Sequence, residues 1–161
     1  MGNDPAVLSN LKEPYLLHEA FLRAPWWALE DFWPKRHVYF VRHLRLCDLA
    51  KKELVRQRIL RIGRHFVQKV WIDYQIPMQW HEKLRIRIFL TALFKKGRVP
   101  LLKYELHSFL RNQLLAEAHL LYHPPLSRKK EDRELFFDAS LERKILATSV
   151  ESSFDKPSSR A

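Results

Sequence analysis

Glycine is scarce in this sequence, with three residues among 161. Few positions can therefore adopt a positive φ angle cheaply, which argues against a β fold rich in tight turns. The single cysteine, Cys47, excludes an intrachain disulfide and is typical of a reducing compartment. No run of about 18 apolar residues occurs, so we predict no transmembrane segment.

Motifs of common catalytic sites are also missing. The sequence has no Gly-rich phosphate loop, no Cys–His zinc cluster and no nucleophile elbow. His119 and His123 are four residues apart, but no third ligand accompanies them, so we interpret them as packing or surface residues. His81-Glu82 resembles the start of a zinc protease motif, which Arg85 interrupts. We therefore predict a non-enzymatic protein with no catalytic residues, no metal and no cofactor.

Positive charge is what the sequence has in excess, with 29 Lys and Arg against 18 Asp and Glu. Residues 35–103 carry eighteen basic and four acidic side chains, a net charge of +14, whereas residues 1–34 are acidic and residues 104–161 are balanced. Like charges three or four residues apart destabilise a helix, and bound phosphates would remove that penalty. Basic side chains can also simply solvate helices, but this concentration favours a polyanion partner. The acidic residues within this stretch are interpreted as ion-pair partners: Asp48, Glu53, Asp73 and Glu82.

Proline positions and apolar spacing predict an all-α fold. Apolar residues recur every three or four positions between prolines, as on one face of a helix. The predicted helices cover residues 15–23, 35–74, 78–96, 101–121 and 128–147. We therefore expect an elongated helical protein with a long basic helix, two or three shorter helices, and extended or disordered termini.

The predicted helices and the charge distribution divide the chain into three parts. Residues 1–34 form a Trp-rich N-terminal docking segment, residues 35–126 a basic helical RNA-binding core, and residues 127–161 a charged C-terminal helix and disordered tail. The aromatic cluster of the first part needs a covering surface, because its exposure would favour aggregation. That surface is either a partner protein or the chain's own core. The residues assigned to protein docking are Trp26, Trp27, Phe32 and Trp33.

Arginine and lysine side chains in the second part alternate with aromatic residues. Guanidinium groups bind phosphates through paired N–H groups, and they stack on bases as aromatic rings do. Aromatic residues at helical spacing also commonly form a core, so this signal is compositional. The residues assigned to RNA binding are Arg42, Arg45, Lys52, Arg56, Arg58, Arg61, Arg64, Lys69, Arg85, Arg87, Lys95, Lys96, Gly97 and Arg98.

One stretch resembles a known family. The sequence FLTAL at residues 89–93, followed after a basic pair by GRVP at 97–100, resembles the opening of the mitochondrial ribosomal protein sixty-three family. Residues 115–119 and the charged run at 128–134 are similar to the family's acidic-aromatic helix and its polar continuation. The resemblance covers about residues 88–135, and it implies a structural role on ribosomal RNA in the mitochondrial large subunit.

The leading hypothesis is therefore a structural RNA-binding subunit of a ribonucleoprotein, most simply the large subunit of the mitochondrial ribosome in the matrix. Its partners would be ribosomal RNA and neighbouring ribosomal proteins, with no small-molecule substrate. Arg98 would contact phosphate, and Gly97 would allow close backbone approach. The alternative is a non-catalytic supernumerary subunit of a mitochondrial respiratory or ATP synthase complex, with its basic helices on the membrane surface. A helical adaptor for acidic proteins is a third possibility.

Overall fold

The computed structural model describes residue 11 and residues 13–23, 36–78, 82–94 and 98–148. Strand is the most common secondary structure in the described part of the chain. The elements are β1 (Tyr15–Arg23), α1 (Arg36–Arg56), β2 (Phe66–Tyr74), β3 (Lys83–Phe94), β4 (Val99–Ser108), β5 (Gln113–His123), a short 3-10 helix (Glu131–Arg133) and α2 (Ala139–Thr148). Neither described helix is long and apolar enough to cross a lipid bilayer.

Within the described ranges, five antiparallel strands form one sheet in the order β1-β3-β4-β5-β2. Strands β3, β4 and β5 follow one another as neighbours, whereas β1 and β2 occupy opposite edges. The chain between β1 and β2 contains α1, so the helix belongs to the segment that joins the two edges. Asn112, in the turn between β4 and β5, has a φ angle of 50°. Asparagine tolerates this left-handed conformation, so the tight turn forms without glycine.

Alternation along β3 shows why this segment is a strand. Successive side chains of a strand point to opposite faces, so apolar residues at every second position make one apolar face. The fully buried side chains of β3 are Leu84, Ile86, Ile88 and Leu90. Arg85 and Arg87 alternate with them on the opposite face and are only partly buried. The same alternation buries Leu102, Tyr104 and Leu106 of β4.

The core lies between this apolar face of the sheet and α1. Among the α1 side chains that the structure describes, the apolar ones with no exposed surface are Leu46, Cys47, Ala50 and Leu54. Their spacing of three and four residues places them on one side of the helix. Burying a leucine side chain stabilises a fold by about 1.5–3 kcal/mol, so this contact contributes substantially to holding the helix on the sheet.

The predicted all-α fold is therefore wrong. Helix α1 lies within the predicted long helix, but the helix ends at Arg56, and the second half of that prediction contains β2. The segments predicted as helices at 15–23 and 78–96 contain β1 and β3, and the one at 101–121 contains most of β4 and of β5. Residues four apart share a face in a helix and also in a strand, so the spacing used for the prediction fits both. The proposed division into parts at residues 34 and 126 stays a prediction.

Candidate active site

Two tyrosines of neighbouring strands meet beneath α1. The hydroxyl oxygens of Tyr104 on β4 and Tyr122 on β5 lie 2.7 Å apart, so one donates a hydrogen bond to the other. Both side chains are almost completely buried. Burial raises the pKa of each phenol well above its usual range, so both stay protonated at neutral pH.

Asp48 of α1 supplies a carboxylate close to this pair. Its side chain is 47% exposed. Its Oδ1 atom lies 3.1 Å from Lys51 Nζ, and its Oδ2 atom lies 3.2 Å from Lys52 Nζ. Burial alone would raise the pKa of the carboxyl, but the hydrogen bonds and charges of the two lysines outweigh it, and the pKa lies below its usual value. Asp48 is therefore an ionised carboxylate that water can reach.

Lys51 connects the carboxylate to the tyrosines. Its side chain is only 13% exposed, although it carries the ammonium group that binds Asp48. The same Nζ atom lies 5.8 Å from the centre of the Tyr122 ring. The spacing of Asp48 and Lys51, three residues along α1, puts both on the same side of the helix. We call Asp48, Lys51, Tyr104 and Tyr122 the α1 cluster.

Cys47 lies beside the α1 cluster but has no accessible surface. Burial raises the pKa of its thiol far above the usual range, and the charge of Asp48 adds to this effect. Because the thiolate is the reactive form, Cys47 is not a nucleophile in this state and serves as a packing residue.

His43 and Tyr74 extend the polar region toward the edge of the sheet. Their rings meet edge to face with centroids 4.8 Å apart, although His43 is buried and Tyr74 of β2 is exposed. Burial raises the pKa of Tyr74, and Cys47 contributes to the shift. This side of α1 therefore lies next to protonated phenol groups, and at β2 it is accessible to solvent.

The α1 cluster has the groups that hydrolysis of an activated carbonyl requires. A carboxylate in contact with water can accept a proton from it, and an adjacent ammonium group can stabilise a developing oxyanion. No group of three or more potential metal ligands occurs among the residues that the structure describes. The α1 cluster itself can supply acid–base and electrostatic chemistry.

The residues assigned to RNA binding lie on different faces of the fold. Those on α1 and in the following loop are Arg42, Arg45, Lys52, Arg56, Arg58, Arg61 and Arg64, and those on strands are Lys69, Arg85 and Arg87. Arg98 precedes β4, and Lys95, Lys96 and Gly97 lie outside the described residues. Arg85 and Arg87 occupy the sheet face opposite α1, so they cannot share one phosphate surface with the helix.

Acidic residues distant in sequence neutralise part of this charge. Arg87 Nε lies 3.2 Å from Glu19 on β1, and its Nη1 atom lies 3.8 Å from Glu105 on β4. Arg64 lies 3.7 Å from Asp132. Asp132 belongs to the described residues that follow β5, 124–148, which we call the C-terminal segment. The positive charges therefore do not need a polyanion to lie near one another, which was the physical basis of the RNA prediction. The aromatic residues assigned to docking, Trp26, Trp27, Phe32 and Trp33, lie outside the described residues.

Sequence reasoning found only part of the α1 cluster. Asp48 was interpreted as an ion-pair partner, and the structure pairs it with Lys51 and Lys52. These contacts could be predicted from the sequence, because the lysines follow Asp48 by three and four residues in a helix. The meeting of Tyr104 and Tyr122 depends on the register of β4 against β5, and no local pattern in the sequence reports that register.

Comparison with known proteins identifies the fold. No family model matches the chain, and no curated protein matches it in sequence. A Pseudomonas aeruginosa protein described provisionally as a thioesterase has a TM-score of 0.56 and 17% identity, over 81% of this chain and 98% of that one. A second Pseudomonas aeruginosa protein has a TM-score of 0.53 and 15% identity, over 85% and 97%. At these identities the likeness shows the fold, which is the hotdog fold.

These findings correct the predictions that followed from the supposed family. The resemblance to the mitochondrial ribosomal protein sixty-three family is wrong, because its FLTAL motif lies in β3 of a hotdog sheet. The ribosomal role, the RNA and ribosomal-protein partners, and the membrane-complex alternative are contradicted. The predictions of a non-enzymatic chain and of no small-molecule substrate are also contradicted, since a similar structure is described as a thioesterase. The mitochondrial location stays a prediction.

Proposed function

We propose that this chain is a thioesterase that hydrolyses an acyl thioester of coenzyme A. The observation that carries the proposal is the shared hotdog fold, which extends over 98% of a protein described provisionally as a thioesterase. The α1 cluster supports it independently, because it offers an ionised carboxylate in contact with water beside a nearly buried ammonium group. Thioester hydrolysis needs both functions and no redox chemistry.

The α1 cluster would act on the carbonyl carbon of the thioester. Asp48 accepts a proton from a water molecule as the water oxygen bonds to that carbon. The carbonyl oxygen becomes an oxyanion, which the ammonium group of Lys51 stabilises. The carbon–sulfur bond then breaks, the thiolate of coenzyme A leaves with the bonding electrons, and it takes up the proton. The products are a carboxylic acid and free coenzyme A.

The phenols of Tyr104 and Tyr122 hold the α1 cluster in place and exclude water from its buried side. Tyr104 and Tyr122 are neutral, so they add no negative charge that would compete with the oxyanion for Lys51. A low-polarity side also strengthens the interaction between ammonium and oxyanion, since less water screens it. Their role is to position the cluster, because both hydroxyls are buried and bonded to each other.

The test measures thiol release from a series of acyl-coenzyme A substrates by the full-length protein and its Asp48→Asn variant. General-base catalysis contributes about 10²–10⁴-fold, so we expect kcat to fall by that factor. Glu53→Gln is the matched control, since Glu53 is also on α1 and is paired with Arg56 at 2.7 Å. It should retain full activity.

Two outcomes would contradict different parts of the proposal. If the unmodified protein releases no thiol from any acyl-coenzyme A, the proposed function is wrong. If it is active and Asp48→Asn is equally active, the function stands but Asp48 is not the base. Glu30→Gln and Asp31→Asn would then be the next variants, because these carboxylates precede α1 in the sequence and lie outside the described residues.

A further inference from the structure

A polar pocket of about 400 Å³ lies between the start of β4 and the C-terminal segment. Arg98 lines one part of it, and residues 133–137 with Ala139 and Glu142 line the rest. The C-terminal segment is attached to the loop before β2 by the bridge between Leu60 and Phe136, and Arg61 N donates to Leu135 O at 2.7 Å. We call this cavity the C-terminal pocket. Its volume lies in the range of small-molecule and cofactor sites.

Two guanidinium groups line the C-terminal pocket, and a third lies against Phe137, one of its lining residues. Arg98 and Arg133 line it and are exposed, and neither has an ion-pair partner within the described part of the chain. The guanidinium carbon of Arg61 lies 4.2 Å from the centre of the Phe137 ring, and Phe137 also lines the pocket. Arg61 Nε is buried and has no hydrogen-bond partner. These guanidinium groups therefore offer N–H donors to a ligand, and phosphate oxygens are acceptors that match guanidinium geometry.

The other lining groups fit a nucleotide better than a simple anion. Phe137 is 36% exposed and presents an aromatic surface on which a purine can stack. Glu134 and Glu142 line the same pocket and can accept hydrogen bonds from amino or hydroxyl groups. Glu134 is only weakly engaged, at 4.0 Å from Lys130. A ligand with phosphates, a ring and hydroxyl groups would satisfy all three types of lining residue.

Strand β4 connects the C-terminal pocket to the α1 cluster. Arg98, which lines the pocket, directly precedes β4, and Tyr104 of the α1 cluster lies on the same strand. A strand rises about 3.3 Å per residue, so the two positions are about 20 Å apart. One extended ligand could therefore contact both the pocket and the cluster.

We propose that the C-terminal pocket binds the phosphorylated adenosine end of coenzyme A while the thioester lies at the α1 cluster. The inference rests on the proposed function, because it assigns the second end of the same substrate. Arg98, Arg133 and Arg61 bind phosphate groups, Phe137 contacts the adenine ring, and the flexible arm of coenzyme A extends along β4 toward Asp48.

The test compares two substrates with the same acyl group, acyl-coenzyme A and the acyl thioester of N-acetylcysteamine, which lacks the nucleotide. Arg133→Ala and Arg98→Ala should each raise KM for acyl-coenzyme A about 10-fold or more, as expected for a lost charge-assisted hydrogen bond. They should leave kcat unchanged and should not affect either constant for the short substrate. The control is Arg143→Ala, since Arg143 is exposed on α2 and does not line the pocket.

The outcomes separate this inference from the proposed function. If the unmodified protein hydrolyses both substrates with the same KM, or if Arg133→Ala changes neither KM, the thioesterase stands and the pocket assignment is wrong. If neither substrate is hydrolysed, the proposed function fails, and calorimetric titration with free coenzyme A tests the pocket alone. Binding that Arg133→Glu abolishes and Arg143→Glu preserves would support the assignment. Absence of binding, or equal binding by both variants, would overturn it.

Discussion

Replacing one tyrosine of the buried pair by phenylalanine removes one hydroxyl and leaves the other without its partner. Tyr104 and Tyr122 share a 2.7 Å hydrogen bond, and neither side chain has appreciable contact with solvent. An unsatisfied buried hydroxyl costs about 1–3 kcal/mol. We therefore expect Tyr104→Phe and Tyr122→Phe each to lower the free energy of unfolding by that amount.

The double variant should be much less destabilised than the sum of the single variants. With both hydroxyls replaced, no polar atom of the pair is left unsatisfied, and two phenylalanines fill nearly the same volume. The coupling free energy from the double-mutant cycle should therefore be about 1–2 kcal/mol in favour of the double variant. Tyr74→Phe is the control, since Tyr74 is 43% exposed, and it should change stability by less than about 0.5 kcal/mol.

Urea unfolding followed by circular dichroism measures these free energies. For a chain of this size, each kcal/mol should also shift the melting temperature by roughly 2–4 °C. If the double variant loses the full sum of the two single effects, the hydroxyls do not satisfy each other. The inferred interior of the α1 cluster would then be wrong.

Glu82→Ala should lower the free energy of unfolding by about 3 kcal/mol in urea denaturation, because Glu82 is buried and accepts two hydrogen bonds from Arg111 at 2.9 Å. A loss below 1 kcal/mol would show that the pair is dispensable. Stability should also rise with pH between about 4 and 6.5, because burial lowers the pKa of His65 to about 4 from 6.5, so the unfolded chain binds more protons there. His65→Gln should flatten that slope, and an unchanged slope would refute the assignment. Because Asp48 has a lowered pKa, kcat/KM should stay level from about pH 8 down to about pH 5, and a decline centred near pH 6 would indicate another base.

The sheet was partly readable from the sequence, and β3 shows why it was missed. Its first residues, KLRIRI, alternate between polar and apolar, which is the period of a strand and not of a helix. In β4 and β5, however, Leu102, Leu106, Leu114 and Ala118 are spaced by multiples of four, and this spacing fits both structures. Such segments can be assigned only after their neighbours are known.

The scarcity of glycine was misleading for a physical reason. The turn between β4 and β5 uses Asn112 at a φ angle of 50°, and the chain leaves α1 through Arg58 at 54°. Asparagine adopts this conformation at little cost, whereas arginine does so less readily. A β fold therefore needs few glycines when its hairpins are few, and a count of glycines does not exclude it.

The candidate site was harder to predict, because its interactions are of two kinds. The contacts of Asp48 with Lys51 and Lys52 occur within one helix and follow from spacing alone. The neutralisation of Arg87 by Glu19 and Glu105 joins three strands. Glu19 and Glu105 lie outside residues 35–103, so a net charge counted over that stretch does not include them. The count therefore overestimated the positive electrostatic potential that a ligand would experience.

The pairing of β2 with β5 has a consequence for the order in which the chain can fold. Residues Phe66–Tyr74 are made well before their only hydrogen-bonded neighbour in the described sheet, Gln113–His123. Their apolar side chains, including Trp71, therefore have no neighbouring strand until the ribosome has synthesised the residues in between. Closure of this edge is a contact of long sequence separation, so it should come late and limit the folding rate. A chain cut before β5 would expose an unpaired strand and would be prone to aggregate.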